Sequence, residues 1–138
     1  MTDQTRQTRA LREILRELFA STGIDLVNVA PAGGETAADI RIEYQHTQTE
    51  PSALKMAILH GVGATAVGLV EVTPTPSRVD VTAQSPDDEP PLVYHLTRND
   101  AIRAAVAIGC DAVDALRDLF VDVAEDADRF VDITDVRA

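Results

Sequence analysis

A repeat of apolar residues in the last third of the chain constrains the fold more than any other feature of the sequence. Over four heptads the apolar positions alternate in steps of four and three, at Ile102, Val106, Gly109, Val113, Leu116, Phe120, Val123, Ala127 and Phe130. Carboxylates occupy outward positions of the same frame, which is typical of an amphipathic helix. The pattern predicts one long helix over residues 99–127, begun by a capping box of Thr97 and Asp100 and followed by a tail over residues 131–138.

Two further helices are predicted before it. The first covers residues 3–22, where apolar residues recur at helical spacing, at Leu11, Ile14, Leu15, Leu18 and Phe19. The second begins at Pro51, a residue that suits the first helical position. We expect this helix to end near His60, because Gly61 and Gly63 would each cost about 1 kcal/mol in a helix interior.

Five strands are predicted between the helices, over residues 24–29, 38–45, 66–73, 78–84 and 92–97. Alternating apolar and polar residues indicate an antiparallel-type sheet with one polar face, in which 66–73 and 78–84 form a hairpin. The predicted order is therefore α-β-β-α-β-β-β-α. It predicts a single α+β domain over residues 1–138, a two-layer sandwich with its helices on one face of the sheet. This order resembles that of roadblock-like adaptor domains, and the resemblance is one of element order alone.

The charged residues indicate the environment of the protein. The chain has one lysine, eleven arginines, fifteen aspartates and eight glutamates, for a net charge of −11. Such acidity suits a surface that must stay hydrated in brine, and it bears on solubility and association rather than on fold. We therefore expect a halophilic, haloarchaeal-type protein. We also expect it to be cytoplasmic, because the polar N-terminus contains no signal peptide and residues 57–70 are too few to span a bilayer.

No motif of the sequence predicts a catalytic residue, a cofactor or a metal ligand. The glycine-rich stretch 61–68 follows a helix, whereas a phosphate loop precedes one. The three histidines share no metal-ligand spacing, and Cys110 is expected to be a small buried thiol. These observations favour a binding domain over an enzyme.

The preferred function is a non-catalytic, homodimeric adaptor or regulatory domain. Nine seam positions span about 42 Å of helix, which exceeds the 17–20 Å of a typical strand. Part of the seam should therefore overhang the sheet and bind a second copy of the chain. The expected interface residues are Val113, Leu116, Phe120, Val123 and Phe130.

Two alternatives stay open. The first is a small-ligand-binding protein or enzyme with a pocket on the polar face of the sheet, formed by Tyr44, His46 and His95. The second is a nucleic-acid-associated regulator that uses a row of arginines on the first helix, at Arg6, Arg9, Arg12 and Arg16. The same row could contact an acidic protein partner or the chain's own carboxylates. The net negative charge argues against nucleic acid.

Overall fold

The computed structural model describes residues 3–20, 24–32, 39–47, 50–73, 75–84, 91–110 and 113–124. Within them four helices and four strands follow the order α-β-β-α-β-β-α-α. The helices are α1 (Asp3–Phe19), α2 (Pro51–Glu71), α3 (Arg98–Gly109) and α4 (Val113–Val123). The strands are β1 (Ile24–Pro31), β2 (Ile40–His46), β3 (Arg78–Gln84) and β4 (Leu92–Thr97). The predicted α+β class is confirmed.

The four described strands form one mixed sheet in the order β1-β2-β3-β4. The outer pairs are antiparallel, whereas β2 and β3 are parallel, with Ile40 opposite Val79 and Gln45 opposite Gln84. Parallel neighbours need a long crossover connection, and α2 supplies it. The prediction of a five-stranded, antiparallel-type sheet was wrong on both counts.

The predicted strand over residues 66–73 was wrong, because α2 continues through its glycines to Glu71. A Cβ atom at Gly61 would lie 2.9 Å from the Tyr44 hydroxyl oxygen, and one at Gly68 would lie 3.0 Å from Leu15 Cδ2. The glycines therefore let α2 lie close to the sheet and to α1, and the resulting burial outweighs about 1 kcal/mol of helix propensity at each position. The predicted hairpin with residues 78–84 was wrong for the same reason.

The predicted single helix over residues 99–127 was also wrong, because α3 ends at Gly109 and α4 begins at Val113. Glycine is a poor helix former, so the break falls where the helix is weakest. The break lets α3 pack on α2, while α4 reaches the outer edge of the sheet, where Ala124 forms an antiparallel bridge with Tyr94.

The start of α3 agrees with the sequence. The Asp100 amide donates to Thr97 Oγ1 at 3.2 Å, and the Thr97 amide donates to Asp100 Oδ2 at 3.1 Å, so the predicted capping box is confirmed. No loop separates β4 from α3, because Thr97 both ends the strand and caps the helix.

One face of the sheet is buried beneath the helices. Alternate residues of β2, β3 and β4 are buried, and they join residues of all four helices in a single core. From α1 the core receives Leu11, Leu15 and Phe19, three members of the apolar stripe expected for residues 3–22. The predicted tail over residues 131–138 lies outside the described residues. In the described part of the chain, no helix has the length and apolar character needed to cross a membrane.

Candidate functional site

The predicted ligand-binding residues do not meet on one face of the sheet. Tyr44 and His46 are 0% and 1% exposed, and they lie on the core face of β2. His95 is partly exposed on the opposite face of the sheet, and its backbone lies opposite that of Asp80 in β3. Because β2 extends to residue 46, strand alternation places His46 with Tyr44 in the core. These three residues therefore form no common pocket.

Tyr44 instead belongs to a chain of buried hydroxyl groups between the sheet and α2. Its hydroxyl oxygen lies 2.6 Å from that of Tyr94, and Tyr94 is also hydrogen-bonded to Thr65. The Thr65 hydroxyl donates to the Gly61 carbonyl oxygen at 2.7 Å. Burial raises the pKa of Tyr44 well above its usual value, and the adjacent Tyr94 raises it further. Burial also raises the pKa of Tyr94, so both phenols stay protonated and act as structural hydrogen-bonding groups.

His46 is a buried polar residue of a different kind. Neither of its ring nitrogens has a hydrogen-bond partner among the described residues. Its ring packs edge-on against Tyr44, with 5.5 Å between centroids and 89° between planes. Burial lowers the pKa of His46 to about 4, so the imidazole is neutral near pH 7.

The row of four arginines divides into two pairs. Arg6 and Arg9 are exposed on α1. Arg12 and Arg16 line a pocket of about 200 Å³ against residues 26–29 of β1. Arg12 Nη2 donates to the Val29 carbonyl oxygen at 2.6 Å, which fixes this guanidinium beside the edge strand.

The sequence predicts an apolar seam through Ile102 and Val106, but their exposure on α3 was not expected. Ile102, Val106 and Ile108 are 48%, 61% and 38% exposed. Cys110, which caps this helix, is exposed as a free thiol, so the expectation of a buried cysteine was wrong. The buried residues of this 12-residue helix are Ala101 and Ala104. Ile102 and Val106 lie on its outward face, whereas Ile108 follows the row of the two alanines and is exposed near the end of the helix.

The side chains of two of the five residues of the predicted dimer interface are described, and both are buried. Phe120 and Val123 are buried in the core of their own chain. The side chains of Val113 and Leu116, and the whole of Phe130, lie outside the described residues. Self-association itself stays a prediction, and so do the interface roles of Val113, Leu116 and Phe130.

Sequence reasoning could have recovered part of this arrangement. Tyr44 and Tyr94 both fall on the apolar side of an alternating strand, which marks two hydroxyl groups that need buried partners. The contact between Arg12 and Val29 had no local signal, because it joins α1 to an irregular part of β1.

Metal-binding groups are not gathered in the described part of the chain: no three or more histidine, cysteine, aspartate or glutamate side chains there could hold an ion. Comparisons with protein-family models, with curated proteins and with solved structures found no match to this chain.

Proposed function

We propose that the protein is a homodimeric adaptor or regulatory domain of a salt-rich cytoplasm, and that α3 makes the contact between the two copies. The supporting observation is the exposed pair Ile102 and Val106, which share one face of this helix. Of the four large hydrophobic residues that are exposed in the described part of the chain, Ile102, Val106 and Ile108 lie on α3. The fourth, Val27, lies alone on β1.

The spacing of these residues suits a symmetric helix pair. Ile102 and Val106 are four residues apart and share one face of α3, and Cys110 extends the same row. Nothing lies within 4 Å of the position that a Cβ atom would take at Gly109. In an antiparallel pair about a two-fold axis, Val106 would face Val106 of the second copy, and Ile102 would face Cys110 of that copy.

Charge also favours a second copy at this position. The whole chain has a net charge of −11, so most surfaces of two copies repel each other. Within α3 there are two arginines and one aspartate, and the aspartate is Asp100 of the capping box. This helix therefore adds no net negative charge to the repulsion between two copies.

The size of the surface sets the strength of the contact. A helix of 12 residues is about 18 Å long and about 10–12 Å wide, so its footprint is roughly 200 Å². Stable interfaces bury about 800 Å² on each partner. We therefore expect a weak, reversible dimer, which suits a domain that exchanges partners. Strong salt should favour it, because screening reduces repulsion between the copies.

Size-exclusion chromatography with light scattering in strong KCl tests this proposal. Val106→Asp should make the protein monomeric at concentrations where the wild type forms dimers. Val27→Asp is the matched control, since it adds the same charge at an exposed valine outside α3. A wild-type protein that stays monomeric at every concentration would contradict the proposal, as would equal effects of the two substitutions.

A further inference from the structure

A pocket that contains two arginines lies between α1 and β1. Its lining consists of Arg12 and Arg16 from the helix and of residues 26–29 from the strand. Among the described residues no carboxylate lines it, although the chain as a whole carries 23 aspartates and glutamates. The pocket thus presents two cations on the surface of a strongly acidic protein.

The two guanidinium groups have different roles in the pocket. Arg12 is held in place by its 2.6 Å hydrogen bond to the Val29 carbonyl oxygen, which uses one of its five N–H donors. Arg16 lies one helical turn further on and makes no hydrogen bond or ion pair with the described residues. One cation is therefore positioned in advance, and the other is available to a ligand.

The strand side of the pocket is irregular. The register between β1 and β2 shifts between Leu26 and Asn28, and this bulge leaves Val27 53% exposed. The bulge opposes the addition of another strand to this edge of the sheet, and so does the Val29 carbonyl group, which already accepts a hydrogen bond from Arg12. A partner segment would therefore bind here through a side chain in the pocket rather than by extending the sheet.

Volume narrows the class of ligand. Pockets that enclose a whole small molecule usually measure about 300–1,000 Å³, and this one measures about 200 Å³. It therefore suits a single group rather than a complete metabolite. Guanidinium groups bind carboxylates with paired, charge-assisted hydrogen bonds, and two of them can hold one carboxylate from both sides.

We propose that this pocket binds one carboxylate side chain of an acidic segment from a partner protein. A nucleic acid fits less well, because its backbone presents a row of phosphates and requires a row of cations to neutralise them. Only Arg12 and Arg16 of the four arginines line the pocket. Two arginines can neutralise one carboxylate but not a row of phosphates.

Fluorescence anisotropy with a labelled decapeptide of alternating aspartate and serine tests this proposal. Arg16→Gln should weaken binding about tenfold, since it removes a charge-assisted contact and leaves the Arg12–Val29 bond in place. Arg9→Gln is the matched control, because it removes the same charge from an exposed position of α1 outside the pocket. We expect it to change the affinity less than about twofold.

Nuclear magnetic resonance identifies the contact directly. On addition of the aspartate peptide, the amide signals of residues 26–29 and the side-chain Nε–H signal of Arg16 should shift. A peptide with asparagine in place of aspartate should leave these signals unchanged.

Four results would overturn the proposal: no binding of the aspartate peptide, equal losses in Arg16→Gln and Arg9→Gln, equal binding of the asparagine peptide, or tighter Arg16-dependent binding of a thymidine oligonucleotide of the same charge. The last result would assign the pocket to nucleic acid.

Discussion

The hydroxyl oxygens of Tyr44 and Tyr94 lie 2.6 Å apart beneath α2, although the two residues are 50 positions apart in sequence. They come from β2 and β4, on either side of β3. Ala83 lies opposite Tyr44 in the sheet, and Val81 lies opposite Tyr94. This pair links the two halves of the sheet to the helix that covers them.

Removing either tyrosine hydroxyl should destabilise the fold, and Tyr94→Phe should cost more than Tyr44→Phe. Tyr94 retains Thr65 as a partner when Tyr44 is changed, whereas Tyr44 loses its one hydrogen bond to the described residues when Tyr94 is changed. A stranded buried hydroxyl costs about 1–3 kcal/mol. Urea denaturation of both single variants and the double variant measures these losses. Additive losses would show that the two hydroxyls are not coupled.

Gly61→Ala should lower the free energy of unfolding by about 1–2 kcal/mol. The new methyl group would lie 2.9 Å from the Tyr44 hydroxyl oxygen, and overpacking costs about 1–3 kcal/mol, which exceeds the gain of up to 1 kcal/mol in helix propensity. Gly109→Ala is the control, because no atom lies within 4 Å of its added carbon. Urea denaturation should show a loss for the first variant only. A stabilised Gly61→Ala protein would show that α2 does not need this close approach.

His46 should make the fold less stable as the pH falls from about 6.5 towards 4. The folded protein keeps the imidazole neutral until its lowered pKa of about 4, whereas the unfolded chain protonates it near 6.5. Over this range the unfolded state binds more protons, so protonation favours unfolding. The shift corresponds to about 3 kcal/mol at its full extent.

His46→Leu should remove this part of the pH dependence of unfolding, measured by urea denaturation across the same range. His60→Gln is the control, because His60 is exposed. The carboxylates titrate in all three proteins, so the difference between them isolates His46. Identical profiles for the wild type and His46→Leu would contradict this role.

The melting temperature should rise steeply as KCl is added. A net charge of −11 on a chain of 138 residues causes self-repulsion, and the screening length falls from about 8 Å at 0.15 M salt to about 3 Å at 1 M. Calorimetry across this range measures the effect. An unchanged melting temperature would show that the acidity is not an adaptation to salt.

Much of the secondary structure follows from local periodicity. The bounds expected for residues 78–84 and 92–97 agree with β3 and β4, and the apolar stripe of the first helix is buried as expected. The end of α2 was not predictable in this way, because the tolerance of Gly61 depends on Tyr44 from a distant strand. The heptad repeat predicted one continuous last helix with a single buried face. Ile102 and Phe120 belong to the same repeat, but Ile102 is exposed and Phe120 is buried.

The candidate sites also depend on contacts between residues that are distant in sequence. The spacing of Arg12 and Arg16 predicts a shared helix face, but the pocket also needs the bulge in β1, which has no sequence signature. His46 was predicted on the polar face of the sheet, but alternation from Ile40 through Ile42 and Tyr44 places it on the core face, as the structure shows.

Cysteine cross-linking tests the proposed dimer most directly. In a Cys110→Ser background, Val106→Cys places a thiol where the two copies of α3 are expected to face each other, and Val27→Cys places a control thiol on β1. Disulfides form only when the Cα atoms approach within about 7 Å. In strong KCl with a mild oxidant, the Val106→Cys protein should cross-link rapidly into dimers and the Val27→Cys protein should not. Equal, slow cross-linking of both proteins would contradict self-association through α3.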